Sequence, residues 1–162
     1  MKIVEYEEKY LEDIKKLLTE LEEYIVSMDQ DNLDQIHSDY YNKKAIIDLE
    51  EVNNNDGKCL LAIEENKVIG LIMGIIRKYD EFDYLDYKCP KEGEITELIV
   101  TKNTRSKGVG QLLIKNIEEY FKSVNCEYII VDVFGYNDNA LKFYSKQEFH
   151  PRMVTCIKKI KD

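Results

Sequence analysis

Between Cys59 and Tyr79 the chain reads CLLAIEENKVIGLIMGIIRKY, two β-rich apolar runs parted only by EENK, and this pattern predicts a β-hairpin. Gly70 and Gly74 interrupt the second run, where they predict a bulge or a close neighbour. Upstream, Leu11, Ile14, Leu18, Leu21 and Ile25 recur at spacings of three and four, the apolar stripe of an amphipathic helix. KIVEY (2–6) alternates as a first strand, a weaker helical pattern covers about 31–50, and NNNDG (53–57) reads as a turn. Downstream, EITELIV (94–100) predicts a strand and residues from about 109 to 123 a helix. CEYIIVDVF (126–134) is a strand whose nearly continuous apolar run predicts cover on both faces. A short helix follows with Asn137 or Asn139 at its N-cap, and EFHPRMVTCIKKI closes as a strand or hairpin. The order β-α-α-β-β-β-α-β-α-β is mixed α/β. Its strand–helix junctions, at 100–110 and 133–140, are the natural places for a ligand.

The rest of the chain bounds the classes open to it. Its 162 residues amount to about one domain, with no internal repeat or Pro/Gly-rich linker. No apolar run approaches the roughly 18–20 residues of a membrane span. The acidic N-terminus lacks the marks of a secretory signal or transit peptide, so the expected compartment is the cytoplasm. Cys59, Cys89, Cys126 and Cys156 are widely spaced, without C-x-x-C, and read as reduced structural thiols. With only His37 and His150 beside them, no zinc spacing can be assembled, and no metal is expected. Net charge is −9, with −10 in residues 1–56 and +1 in the remainder. That balance argues against nucleic acid or anionic membrane as partner and favours a cationic ligand or simply a solvated acidic surface.

The loop TRSKGVGQL (104–112) leads into the helix at 109. Helix N-termini leave backbone N–H groups unpaired and carry partial positive charge, which suits phosphate. Arg105, Ser106, Lys107, Gly108, Val109, Gly110 and Gln111 supply successive N–H groups, with glycines that admit close approach. A P-loop sequence is absent. A dinucleotide fingerprint would need glycine at Leu113 and a shorter gap than the seven residues between Val100 and Gly108. By itself the loop is equally compatible with a helix entry that binds nothing.

Two longer stretches carry a specific resemblance. ELIVTKNTRSKGVGQLLIKNIEEYF resembles the acetyl-CoA signature of the GNAT superfamily of N-acetyltransferases, with Arg105, Gly108 and Gly110 at the positions of R/Q-x-x-G-x-G/A. VDVFGYNDNALKFYSKQEF is similar to the family's second motif, matched by Asn137, Ala140, Phe143, Tyr144 and Phe149. The resemblance covers nearly the whole chain. It implies a single-domain GNAT fold over residues 1–162, with a mixed central sheet of about six to seven strands and about four helices. One departure is plain: Glu148 stands where the family carries glycine, at a left-handed helix cap where a side chain costs about 1 kcal/mol.

The resemblance implies acetyl transfer from acetyl-CoA, as cosubstrate and without metal, to a primary amine by direct attack in a ternary complex. The acceptor would be a cationic small molecule or a lysine or N-terminal amine. Such chemistry needs a neutral amine, a donor for the carbonyl oxygen and a proton for the leaving thiolate. Glu94 or Glu97 would be the base; strand alternation sets them on opposite faces unless a bulge intervenes, and the resemblance implies that bulge. Backbone groups of Leu98, Ile99 and Val100 would line the thioester and pantetheine, with the Leu98 N–H as oxyanion donor. Asn137, with Asn139 beside it, would reach the pantetheine, and Tyr144 would protonate the thiolate. DEFDYLDY (80–87) offers Asp80, Glu81, Asp83 and Asp86 with Phe82, Tyr84 and Tyr87 to a cation, or is a surface loop. A GNAT-fold module that binds acyl-CoA as a sensor or dimerisation unit without turnover is the other reading, and family members often pair as homodimers.

Overall fold

One mixed sheet organises the larger part of the chain. The strands are β1 (Lys2–Glu5), β2 (Lys58–Glu64), β3 (Lys67–Ile76), β4 (Glu92–Val100) and β5 (Tyr128–Val131). They lie in sequence order; the first three pairings are antiparallel and β4–β5 is parallel. Helices α1 (Leu11–Met28), α2 (Tyr40–Asn54) and α3 (Val109–Ser123) belong to the same unit, Met1–Asp132. A second unit begins at Val133 and carries α4 (Asp138–Lys146). The computed structural model describes residues 1–161.

The hairpin at 58–76 forms as its sequence requires, and alternation along β3 sorts the core. Leu71, Met73 and Ile75 join Ile14, Leu17 and Leu18 of α1 and Ala45 and Val52 of α2 in one cluster. The intervening positions turn toward α3, where Gly74 and Gly93 seat Phe121. A Cβ at Gly74 would lie 2.7 Å from the ring, and one at Gly93 2.5 Å from it. Phe121 is 1% exposed, so these bare backbones let helix and sheet close on one another. Both readings of the glycines in β3 hold, at different places: the neighbour is close at Gly74, and β3 bulges at Ile69 beside Gly70, where its register with β2 shifts.

Helix α2 starts later than its pattern. The Asp29 carboxylate accepts N–H groups from Asp31 and Asp34 at 2.9 and 2.8 Å and from Leu33, and Asn32 turns to positive φ. These local bonds hold residues 29–34 out of helix, and α2 begins only at Tyr40.

The sheet has five strands, not six to seven. Strand β5 spans only Tyr128–Val131, and its side chains are half-buried, with Tyr128 exposed, rather than covered on both faces. Residues 150–161 form no strand or hairpin. Their apolar side chains are split between the two alternating faces, Met153 and Ile157 on one and Val154, Cys156 and Ile160 on the other, each shared with basic residues. Pro151 also removes a donor at the start of the segment.

The second unit is described by its helix and caps. The Asn137 side chain accepts the Ala140 N–H at 3.1 Å as N-cap. At the other end, Glu148 is left-handed at φ 66°. Its N–H donates to Ser145 O at 3.2 Å and the Phe149 N–H to Tyr144 O at 3.1 Å, the two bonds of a Schellman motif. Glutamate therefore sits in a conformation that favours glycine. Replacing it, Glu148→Gly, is expected to raise stability by about 1 kcal/mol. A urea midpoint that falls instead would count against that reading of the cap.

Candidate active site

The register of β4 settles how Glu94 and Glu97 lie. Ile95 opposes Gly74 and Glu97 opposes Met73, so Thr96 is the extra residue of a β-bulge. Glu94 opposes Ile75. Since Ile75 and Met73 both belong to the cluster with α1 and α2, the bulge brings Glu94 and Glu97 onto that one face. Strict alternation would have separated them.

The same bulge opens one edge of β4. The parallel ladder with β5 runs from Glu92–Tyr128 to Ile95–Val131 and ends there, which also explains why β5 is short. Beyond it, Thr101 N–H donates to Ile69 O of the segment just past the hairpin turn, at 3.0 Å, and Arg105 Nε donates to Val100 O at 3.0 Å. Thr101 thus faces β3 and Val100 faces away. By alternation the N–H and C=O of Leu98 also face away from β3, on the side where the ladder with β5 has ended, whereas Ile99 faces β3.

Glu97 is not a free carboxylate. Lys44 Nζ of α2 lies 2.6 Å from Glu97 Oε1 and 2.7 and 2.8 Å from the two oxygens of Asp48. Asp48 is buried, and Glu97 is only 15% exposed at its side chain. Burial raises the Glu97 carboxyl above its ordinary range, Lys44 opposes that rise, and the charges of Asp48 and Glu22 add to it. The Lys44 ammonium is held above its usual value, because its two carboxylate partners outweigh its burial. Tyr40 extends the network, its hydroxyl 3.2 Å from Glu22 Oε2.

The Glu94 side chain makes no hydrogen bond or ion pair among the described residues. Burial raises its carboxyl, Arg77 opposes the rise, and Asp132, Glu51 and Glu92 reinforce it. A raised, unpaired carboxylate beside an opened strand edge is suited to taking a proton.

The loop after β4 begins with a short 3-10 turn at Lys102–Thr104, closed by Thr104 N–H to Thr101 O at 3.0 Å. Ser106 (φ 64°) and Gly108 (φ 80°) are both left-handed. Gly108 is the N-cap of α3, no side chain caps that end, and a Cβ there would meet nothing within 4 Å. The Leu112 N–H to Gly108 O bond, at 3.0 Å, is the first of the helix, so the N–H groups of Val109, Gly110 and Gln111 lie ahead of it. Ser106 and Lys107 are exposed. Arg105, also exposed, lies along α1: besides Val100 O, it is 3.9 Å from Glu20 Oε1 and 5.4 Å over the Tyr24 ring.

In the second unit, Tyr144 is 8% exposed, with its ring edge-on to Phe143 and Phe149 at 5.2 and 5.4 Å. Asn137 serves as the cap already described, and Asn139 lies in the first turn of α4. Glu94, Glu97, Leu98 and the 105–111 loop are thus brought together by β4 and its exit, whereas Asn137, Asn139 and Tyr144 share α4.

The model of the acetyltransferase (GNAT) family matches residues 17–149. The chain belongs to that family. An uncharacterized N-acetyltransferase of Methanocaldococcus jannaschii is 36% identical over 63 residues, 38% of this chain and 40% of that protein. The chain thus spans less than half the length of that curated relative. Among solved structures, a putative acetyl transferase from Pyrococcus furiosus superposes with a TM-score of 0.72 at 26% identity, over 98% of this chain and 99% of that one. AAC(6')-Iy, an aminoglycoside N-acetyltransferase, in complex with the bisubstrate analogue CoA-S-monomethyl-acetylneamine superposes with a TM-score of 0.70 at 17% identity, over 98% and 97%.

The GNAT family uses acetyl-CoA, and the residues present fit its pyrophosphate. Fixed N–H donors ahead of α3, an uncapped helix end and open space over Gly108 together form a cradle that a side chain would obstruct. Among the described residues no group of three or more His, Cys, Asp or Glu is placed to hold a metal ion, and no helix is long and apolar enough to cross a membrane. Sequence reasoning missed Lys44 and Asp48 in this GNAT protein. Their spacing of four on a helix signals a local ion pair, but nothing in it signals Glu97, 53 residues away.

Proposed function

We propose that this GNAT protein is an acetyl-CoA-dependent N-acetyltransferase acting on a primary, cationic amine by direct attack in a ternary complex. The observation that carries the reading is the opened edge of β4. There the Leu98 and Val100 backbone faces away from β3, beyond the end of the β5 ladder, on the strand that leads to the uncapped end of α3 and carries unpaired Glu94.

Acetyl-CoA, when bound, supplies an acetyl thioester. Val109, Gly110 and Gln111 hold its pyrophosphate through their N–H groups, and Gly108 keeps the approach clear. The Leu98 N–H points where a thioester carbonyl can lie against the strand and stabilises charge developing on its oxygen. An alkylammonium of pKa near 10.4 is neutral about once in 10³ molecules at pH 7, so the acceptor needs a base. Glu94 takes that proton, because Glu97 is already committed to Lys44. The amine nitrogen then bonds to the acetyl carbon as the carbon–sulfur bond breaks; Tyr144 gives its proton to the sulfur and is reprotonated through solvent by the surplus proton that leaves the new amide nitrogen. The carboxylates around Glu94, namely Glu51, Asp132 and Glu92, favour a positively charged acceptor. The bisubstrate complex of the related fold, in which an amine and CoA are joined, is consistent with this arrangement.

Thiol release from acetyl-CoA across a panel of amines tests the reaction, and calorimetry tests the cradle. Gly108→Glu adds a like charge facing the pyrophosphate and strains a left-handed position, so acetyl-CoA affinity is expected to fall by about 100-fold. Equal affinity in the variant would overturn the cradle, and the absence of thiol release with every amine would overturn the reaction.

A further inference from the structure

A buried carboxylate stands where the proposed reaction has no use for one. Glu92, the first residue of β4, is 1% exposed. The Tyr79 hydroxyl lies 2.6 Å from its Oε2, and the Tyr87 hydroxyl donates to its Oε1. Arg77 Nη1 is 3.6 Å from Oε2, and the Tyr79 hydroxyl also lies 3.0 Å from Pro90 O. Tyr79 and Tyr87 bracket residues 80–86, so Glu92 ties both ends of that loop to the strand. A buried carboxylate is costly unless fully bonded, and this one is bonded for the sake of a surface loop.

The loop so held displays apolar side chains to water. Phe82 is 68% exposed, Tyr84 65% and Leu85 80%. Scattered exposed hydrophobics are ordinary, but three within four residues on an anchored loop form a docking patch. Within residues 80–87, Asp80, Glu81, Asp83 and Asp86 lie among them and no basic residue does. The base of the loop adjoins Glu94: Ile75 opposes Glu94, Ile76 opposes Gly93, and the Arg77 N–H donates to Glu92 O at 3.0 Å.

We propose that residues 80–87 are the docking platform for a cationic peptide, which seats an apolar side chain on Phe82, Tyr84 and Leu85. Its basic groups complement the four carboxylates, and its reactive amine is delivered to the neighbouring strand at Glu94. A small polycation would satisfy the carboxylates and leave the apolar side chains in water, whereas a peptide satisfies both. The delivery step rests on the acetyltransferase reading; the docking itself does not.

Two labelled peptides distinguish the source of the amine. One has a free N-terminal leucine followed by arginines and no lysine; the other is N-acetylated, with one lysine beside leucine among arginines. Fluorescence anisotropy on the full chain is expected to show either or both binding more tightly than spermidine competes. The combined variant Phe82→Ser, Tyr84→Ser, Leu85→Ser should weaken peptide binding about tenfold or more and raise the peptide KM to match. Its affinity for acetyl-CoA, read by calorimetry, should stay as in the wild type. Unchanged peptide binding in the variant, or wild-type binding no tighter than spermidine, would overturn the platform. Patch-dependent peptide binding without thiol release from any amine would support the platform and sink the acetyltransferase reading alone.

Discussion

Glu94→Gln is expected to lower kcat/KM by about 10²- to 10⁴-fold at neutral pH, the range for loss of a general base, while acetyl-CoA affinity stays unchanged. Glutamine keeps the size of the side chain and removes only its capacity to accept a proton. The assignment to Glu94 rests on pairing. Both glutamates lie on one face of β4, yet Glu97 is held by Lys44 at 2.6 Å and Glu94 has no partner among the described residues. Glu97→Gln should therefore act mainly on stability, because it leaves Lys44 to Asp48 alone. The pH profile offers a separate check. Burial raises the folded Glu94 carboxyl, so the active, ionised form is lost as pH falls through that raised value. The wild-type acid limb should sit above the ordinary carboxylate range and vanish in Glu94→Gln. If Glu97→Gln abolishes turnover and Glu94→Gln does not, the two roles are reversed.

Tyr144→Phe is expected to cut turnover by about 10²-fold or more, with little effect on acetyl-CoA binding. The ring is buried and edge-on to Phe143 and Phe149, so phenylalanine preserves the packing within that unit and removes only the hydroxyl. A merely structural tyrosine would lose stability and keep its rate. Single-turnover measurement of thiol release, alongside a thermal melt, separates the two cases. Full activity in Tyr144→Phe would transfer the task of protonating the thiolate to another group.

Much of the larger unit can be read residue by residue. The stripe Leu11, Ile14, Leu18 and Leu21 buries against the sheet, and α3 spans Val109–Ser123 as its pattern requires. Gly108 adopts the left-handed conformation that makes glycine useful there, and Asn137 caps α4. Glu148 takes the left-handed cap position even without glycine, because the Schellman bonds to Ser145 and Tyr144 fix it. These features are local. Periodicity, caps and turn residues act over a few positions, where a sequence carries its strongest physical signal.

The closing strand failed for a complementary reason. Residues 150–161 are apolar enough to suggest one, but a strand exists only through a ladder partner, and their apolar side chains are split between two faces that both carry basic residues. Arg105 illustrates the same limit at the site. Its motif position implies a phosphate contact, yet its guanidinium caps Val100 O and lies over Tyr24 of α1, an arrangement set by how helix and strand pack.

By itself, then, the sequence determined the order of elements, the two family motifs and the bare backbone at Gly108, each written in neighbouring residues. Tertiary structure alone decided which glutamate is free. Lys44 reaches Glu97 only because α2 packs over β2 and β3, beside β4 on the same sheet face, and the bulge at Thr96 matters only once Met73 and Gly74 fix the register across the sheet. Register and ion pairing between distant segments depend on which faces meet, and no short stretch of this chain contains both partners.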